Sequence, residues 1–204
     1  VACLLRLARH HHHAHEAADE EASSASVAYA QRAVYMCRIS GCCSLADCLA
    51  TLAEALTRAG KYRLALDCKL EECQTYELLG LGQHRQQQKQ QPPAAAEDSD
   101  EAVVSLRRAQ CLKEIGELQL RASGKEPTLG GARLFLAYKL RALQLYELVC
   151  FGESAAHADC LMSVGVGYIL LLAMDQQQQP QQHCAAEIVE EFCVAALHMY
   201  RRLG

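Results

Sequence analysis

A six-residue pattern returns four times along this chain: Cys, Leu, two variable residues, an apolar residue, then Ala or Gly. The copies are Cys3-Leu4-Leu5-Arg6-Leu7-Ala8, Cys48-Leu49-Ala50-Thr51-Leu52-Ala53, Cys111-Leu112-Lys113-Glu114-Ile115-Gly116 and Cys160-Leu161-Met162-Ser163-Val164-Gly165. The last three carry Ala two residues before the Cys, at Ala46, Ala109 and Ala158. Leu49, Leu52, Ala53 and Leu56 recur at helical spacing, as do Leu161, Val164, Gly165 and Tyr168, so each copy lies on an amphipathic helix. A unit that returns at a fixed place must pack against its own copies. That requirement points to a stack of similar modules.

A second helical stretch ending in Gly follows each copy: Arg32-Ala33-Val34-Tyr35 to Gly41, Leu66 to Gly80, Arg141-Ala142-Leu143 to Gly152, and Ala195-Ala196-Leu197 to Gly204. Gly suits the left-handed position that closes a helix. Each unit therefore reads as helix A, a short turn, helix B and a Gly stop, over about 1–41, 42–82, 98–152 and 153–204. In the second unit, Ser44 is placed to cap helix A, which runs to about Ala59. Gly60-Lys61-Tyr62 makes the turn, and helix B runs from Arg63 to Leu79. In the third, Asp98, Ser99 or Asp100 is placed to cap a helix that continues to about Arg121. The Cys markers lie 45, 63 and 49 residues apart. Low-complexity inserts at about 9–24, 83–97 and 175–183, rich in His or Gln, supply most of the spread. They fall between helices, where extra length costs little, and removing them leaves a period of about 40 residues.

Composition agrees with helices. Hydrophobic residues make up 51% of 204, chiefly Leu and Ala, whereas aromatics reach 5% and Trp is absent. Sheets favour β-branched and aromatic residues. The net charge of −4 provides no field for a phosphate backbone or an anionic bilayer, which argues against nucleic-acid and membrane partners. The longest uncharged helical stretch, Cys160 to Met174, reads as too short to cross a bilayer. Most of the twelve cysteines sit in helical patterns and no Cys-x-x-Cys occurs, so they read as small hydrophobes in a reducing, cytoplasmic or nuclear compartment. The chain begins without Met inside an apolar pattern and stops where another repeat would start, which is expected of a segment of a longer protein.

The residues Leu161-Val164-Gly165-Tyr168, and less strictly Leu49-Leu52-Ala53-Leu56, resemble helix A of the tetratricopeptide repeat (TPR). Gly60-Lys61-Tyr62 followed by Ala65 resembles the family's turn and the Ala of its helix B. Arg141-Ala142-Leu143, with Gly152-Glu153 leading to His157-Ala158, is similar to the long-period kinesin light chain subclass. Lys69 and Glu72 depart from the pattern, standing where helix B usually has an aromatic and a small residue. The resemblance covers nearly the whole chain apart from the inserts. It implies an all-α superhelix of about four hairpins whose helix A lines a concave groove.

The groove implied in this way receives Asp47, Ala50, Glu54 and Arg58 from the second unit. Gln110, Lys113, Glu117 and Arg121 come from the third, and Asp159, Met162 and Val166 from the fourth. Such a surface holds a peptide or helix of another protein by polar contacts and an apolar anchor. The chain contains no Asn. Family members that clamp chaperone carboxylate tails, or hold backbone as kinesin light chains do, use Asn where this chain has Arg6, Thr51, Glu114 and Ser163, so a chaperone-tail clamp is not expected. The function implied is a protein-interaction scaffold, a cargo or complex adaptor in the kinesin light chain manner.

The alternatives are a structural subunit of a larger assembly, a regulatory repeat domain of a longer protein, and a metal binder acting through His10–His13 and His15 or through Cys42-Cys43. Against metal binding, closed zinc sites need ligands fixed in a tetrahedron, which an insert does not supply. No catalytic motif is present: phosphate loop, nucleophile elbow and His-Glu-x-x-His helix are all missing. The sequence therefore predicts no enzyme, no cofactor, no bound metal and no small-molecule substrate.

Overall fold

The computed structural model describes residues 1–13, 20–41, 44–87, 98–124, 128–149, 154–175 and 183–203, and these are all-helical, with no strand among them. Eight helices follow one another: α1 (Ala2–His13), α2 (Glu20–Ser40), α3 (Leu45–Arg58), α4 (Tyr62–Gln87), α5 (Asp98–Ala122), α6 (Leu129–Val149), α7 (Ala155–Asp175) and α8 (His183–Leu203). The chain divides into two compact halves, Val1–Leu79 and Gly80–Gly204, with the boundary inside α4.

In the N-terminal half, α1 packs on α2, α2 on α3, and α3 also touches α1. Ser26 Oγ of α2 donates to the Ala8 carbonyl of α1 at 3.1 Å. The turn after α3 forms because Gly60 takes φ +69, a left-handed conformation that costs a residue with a Cβ about 1 kcal/mol or more. Lys61 N–H then donates to Leu56 O at 2.9 Å and Gly60 N–H to Thr57 O at 3.1 Å. This pair of bonds satisfies the carbonyls a helix end leaves open. Ser44 stands at the N-cap of α3 without a side-chain capping bond, contrary to the sequence expectation. Its hydroxyl instead lies 3.3 Å from Cys37 Sγ.

The C-terminal half packs α5 on α6, α6 on α7 and α7 on α8. Its two hairpins, α5–α6 and α7–α8, repeat one contact. A Cβ added at Gly116 would meet the Phe135 carbonyl and the Lys139 side chain at 3.3 and 3.5 Å. One added at Gly165 would meet the Val189 carbonyl and Cys193 Sγ at 4.0 and 3.3 Å. The glycines end successive copies of the six-residue pattern, and the residues they touch are equivalent positions of α6 and α8. The same position holds Ala8 and Ala53 in α1 and α3, both buried. A small residue here lets two helices approach closely.

The rest of the pattern forms the core. Cys48, Cys111 and Cys160 are buried, with Leu49, Leu112 and Leu161 beside them and Leu52, Ile115 and Val164 below. The preceding Ala46, Ala109 and Ala158 are buried too. Cys3 departs from its counterparts and is exposed, as is Leu7. In α1, the first of the described helices, only the side facing α2 and α3 is covered.

Several boundaries differ from the sequence reading. Helix α4 runs through Gly80 to Gln87, so Gly80 ends nothing and the helix enters the Gln-rich insert. Gln is a good helix former, and the two interior glycines, Gly80 and Gly82, cost only about 1 kcal/mol each. Helix α1 likewise includes His10–His13, and α2 starts at Glu20, inside the expected insert. Asp98 to Asp100 lie within the first turn of α5 rather than at its cap. Gly41 does stop α2, at φ +60. Gly152, Gly204, His15, Cys42-Cys43 and the tract 176–182 lie outside the described residues. Finally, the longer span Ala155–Met174, which adds five residues including Asp159 to the uncharged stretch Cys160–Met174, is long and apolar enough to cross a bilayer by length and composition. In the structure this helix packs against α6 and α8, with 33% of the stretch buried.

Candidate functional site

The eleven residues expected to line a groove divide between the two halves, and each group is described by itself. In the N-terminal half, Asp47, Glu54 and Arg58 are exposed along α3, with Ala50 half-buried among them. They share a face because they recur at three- and four-residue steps. Thr51 Oγ1 donates to the Asp47 carbonyl at 2.9 Å, so its hydroxyl is used within its own helix.

In the C-terminal half, four of the remaining seven make polar contacts, in three sets. Lys113 Nζ of α5 lies 3.5 Å from Asp159 Oδ2 of α7, joining helix A of one hairpin to helix A of the next. The Tyr200 hydroxyl of α8 donates to Asp159 Oδ1. The Tyr146 hydroxyl of α6 donates to Gln110 Oε1 at 3.2 Å, while Gln110 Nε2 donates to Glu114 Oε1 at 2.7 Å. Gln110 and Asp159 each precede the Cys of their copy, and Tyr146 and Tyr200 are equivalent positions of α6 and α8. One tie, a helix B tyrosine to the residue before the helix A cysteine, thus recurs in both hairpins. Glu117 accepts from Lys139 Nζ at 2.8 Å. Arg121 is exposed at the end of the α5 row.

Met162 and Val166 sit on the outer face of α7 together with Ile169, at 39, 45 and 48% exposure. Ala155 and Ala173 extend this row, and Asp159 is its one charge. Ser163 Oγ donates to the Asp159 carbonyl at 2.8 Å, as its counterpart Thr51 does to Asp47. Of the positions where an Asn would offer its amide, Thr51 and Ser163 carry hydroxyls turned back on their own helix, Glu114 a carboxylate that accepts from Gln110, and Arg6 an exposed side chain.

Electrostatics follow from these contacts. The Tyr200 hydroxyl bond, with help from Lys113 and against slight burial, holds the Asp159 carboxyl below its ordinary value. Burial pulls the Lys139 ammonium below the ordinary lysine value, and the Glu117 hydrogen bond opposes the shift. Lys139 is wholly buried, with its ammonium 5.1 Å from the centre of the Phe135 ring. Its carbonyl accepts from Cys160 Sγ at 3.5 Å. Burial pushes the Cys160 thiol up to about 11.

Lys139 was not foreseen as part of the site. A signal for it exists in the sequence. Lys69-Leu70, Gln74 and Tyr76-Glu77-Leu78 recur as Lys139-Leu140, Gln144 and Tyr146-Glu147-Leu148, with the same spacing. Both lysines are buried, and Lys69 pairs with Glu72 at 2.8 Å in the N-terminal half. The sequence departure at Lys69 and Glu72 is thus a buried ion pair. Among the described residues, no cluster of three or more His, Cys, Asp or Glu side chains is placed to hold a metal ion.

Compared with known proteins, the chain matches no protein-family model, and no curated protein is similar enough in sequence to count as a relative. Functional argument therefore rests on the residues themselves.

Proposed function

We propose that the chain is a TPR-like interaction scaffold that binds a peptide or helix of another protein along helix A of successive hairpins. The observation that carries this reading is the outer face of α7. Met162, Val166 and Ile169 form an exposed apolar row whose single charge, Asp159, is engaged by Lys113 and Tyr200. A solvated helix face ordinarily carries several charges. Here the charges stand on the neighbouring α5, at Glu117 and Arg121. An apolar strip beside a polar row suits a partner segment with apolar anchors at helical or extended spacing and polar groups along one edge.

The repeated tyrosine ties and the contact of buried Lys139 with half-exposed Glu117 support the reading further. They hold polar side chains in place before a ligand arrives, which lowers the ordering cost of binding. The protein acts by binding rather than catalysis, and its partner is another protein, as for a cargo or complex adaptor of the kinesin light chain kind.

Peptide phage display against the whole chain, followed by fluorescence anisotropy with the selected peptides, tests this. Met162→Glu and Val166→Glu are expected to weaken binding at least tenfold, and Lys113→Glu or Arg121→Glu to change which peptides bind. Selected peptides that bind all four variants as tightly as the unaltered chain would mean that the face is a structural surface of a larger assembly.

A further inference from the structure

The last described helix, α8, repeats the geometry of α6 but not the surface that α6 hides. Leu136, Leu140 and Leu143 of α6 form the side that faces the next helix. Leu136 and Leu143 are buried, and a Cβ added at Gly167 of α7 would meet Leu136 Cδ1 at 3.0 Å. The equivalent positions of α8, aligned through the matched contacts of Gly116 and Gly165 and through Tyr146 and Tyr200, are Glu190, Val194 and Leu197, with Arg201 one turn on. All four are exposed, Val194 and Leu197 at 44 and 48%. Where α6 offers Leu136 to an apolar neighbour, α8 offers a carboxylate. Another apolar helix seated there would strip Glu190 of water without a cation in return.

The charge pattern is antisymmetric. Glu190 and Arg201 lie equally far from the midpoint between Val194 and Leu197, about 16 Å apart along the helix. Two such helices placed antiparallel about a twofold axis bring each Glu190 opposite Arg201 of the second copy and bury each Val194 against Leu197 of that copy. A twofold contact needs this self-complementarity, in which one residue meets another and the reverse pair recurs.

We propose that the 190–194–197–201 face of α8 is a self-association surface whose occupant is α8 of a second copy of this chain, packed antiparallel. One helix face is smaller than a standard interface, so the dimer is a weak one.

The experiment is sedimentation of the whole chain up to about 1 mM, with three variants. Leu197→Glu is expected to abolish the dimer. Glu190→Arg and Arg201→Glu, each alone, place like charges opposite one another and weaken self-association roughly tenfold. Mixed in equal amounts, these two variants face each other with opposite charges at both positions and are expected to form a heterodimer as tight as the original. That mixture also separates self-association from the simpler role of these charges in matching the helix dipole. A chain monomeric throughout the range, or charge variants that fail to pair with each other, overturns the proposal. Circular dichroism of each variant verifies that the helices remain folded.

Discussion

Lys139 Nζ lies 2.8 Å from Glu117 Oε1, joining a wholly buried cation on α6 to a half-exposed carboxylate on α5. The two partners are unequal in exposure, so their removal has unequal consequences. Glu117→Gln leaves a buried ammonium without its counter-charge and is expected to destabilise the protein by about 1–3 kcal/mol. Lys139→Met removes the buried charge and keeps the volume, and is expected to fall within about 1 kcal/mol of the unaltered protein or to stabilise it. Urea unfolding of the two variants distinguishes these outcomes. Equal losses from both would show that the pair itself, and not the stranded cation, sets the energy.

The same lysine makes a pH prediction whose sign is fixed by burial. The folded value lies below the ordinary 10.5, so between the two values the unfolded chain binds more protons than the folded one. Stability linked to Lys139 therefore rises with pH across that window. The cost of its buried charge is fully present below the folded value and disappears as pH climbs past it. Plotted against pH, the stability of the unaltered protein relative to Lys139→Met is expected to increase on approach to 10.5. A flat or falling difference would mean that Glu117 compensates the burial completely.

The helical hairpins were readable because one small residue and one apolar pair must recur wherever a helix A meets its helix B. Gly116 and Gly165 show that contact directly. Helix ends were harder to read. Gly80 looks like a stop, but a stop requires the chain to turn, and nothing in Leu81 to Gln87 forbids another turn of helix. His10–His13 looked like a loop only because it is repetitive. In the candidate site, Gln110, Lys113 and Asp159 were named because the resemblance makes helix A the groove side and three- and four-residue steps then pick out one face of each helix. The tyrosine ties and Lys139 were not, because a charged residue on helix B reads as solvated until its neighbours in space are known.

Asp159 and Tyr200 give a test on the acid side. The hydroxyl bond is the largest cause of the lowered carboxyl value, ahead of the opposing burial and of Lys113. A lowered carboxylate value contributes stability above the unfolded pKa and loses it as pH falls through the folded one. Tyr200→Phe is expected to move the Asp159 titration up toward 3.8, so that the linked stability is smaller and its loss is complete at a higher pH. Lys113→Met is expected to move it less. Carbon-13 NMR of the Asp159 carboxyl reads both shifts, and a larger effect from Lys113 would reverse the assignment. Because Asp159 is half exposed, water and salt screen the accompanying change in stability.

Two glycines of α7 separate close packing from helix propensity. A Cβ at Gly167 would meet Leu136 Cδ1 at 3.0 Å and Phe135 at 3.2 Å, both in the α6 contact. A Cβ at Gly165 would meet the Cys193 thiol at 3.3 Å, which a rotation of the thiol relieves. Alanine improves either position as helix by about 1 kcal/mol, whereas overpacking costs about 1–3 kcal/mol. Gly167→Ala is therefore expected to lower the melting temperature, and Gly165→Ala to leave it unchanged or raise it. Equal losses at both sites would imply that Cys193 is as firmly held as the two α6 side chains.

Burial ranks the cysteines by reactivity. Burial, the Cys37 thiol at 3.3 Å and its charge push the Cys48 thiol up to about 12. Burial alone dominates at Cys160 and at Cys68, each raised to about 11. Alkylation requires the thiolate, and a thiol with a pKa near 12 is ionised to about one part in ten thousand at pH 8. Cys3 is exposed on α1, outside the contacts that bury its repeat counterparts. Iodoacetamide at pH 8, followed by peptide mass spectrometry, is expected to label Cys3 within minutes. Cys48, Cys111 and Cys160 should stay unlabelled until urea opens the fold. The protected set is the set that the six-residue pattern places in the core. Early labelling of Cys111 or Cys160 would therefore show that the helix A–helix B contact opens in the native state, and the close approach at Gly116 and Gly165 would no longer describe its resting packing.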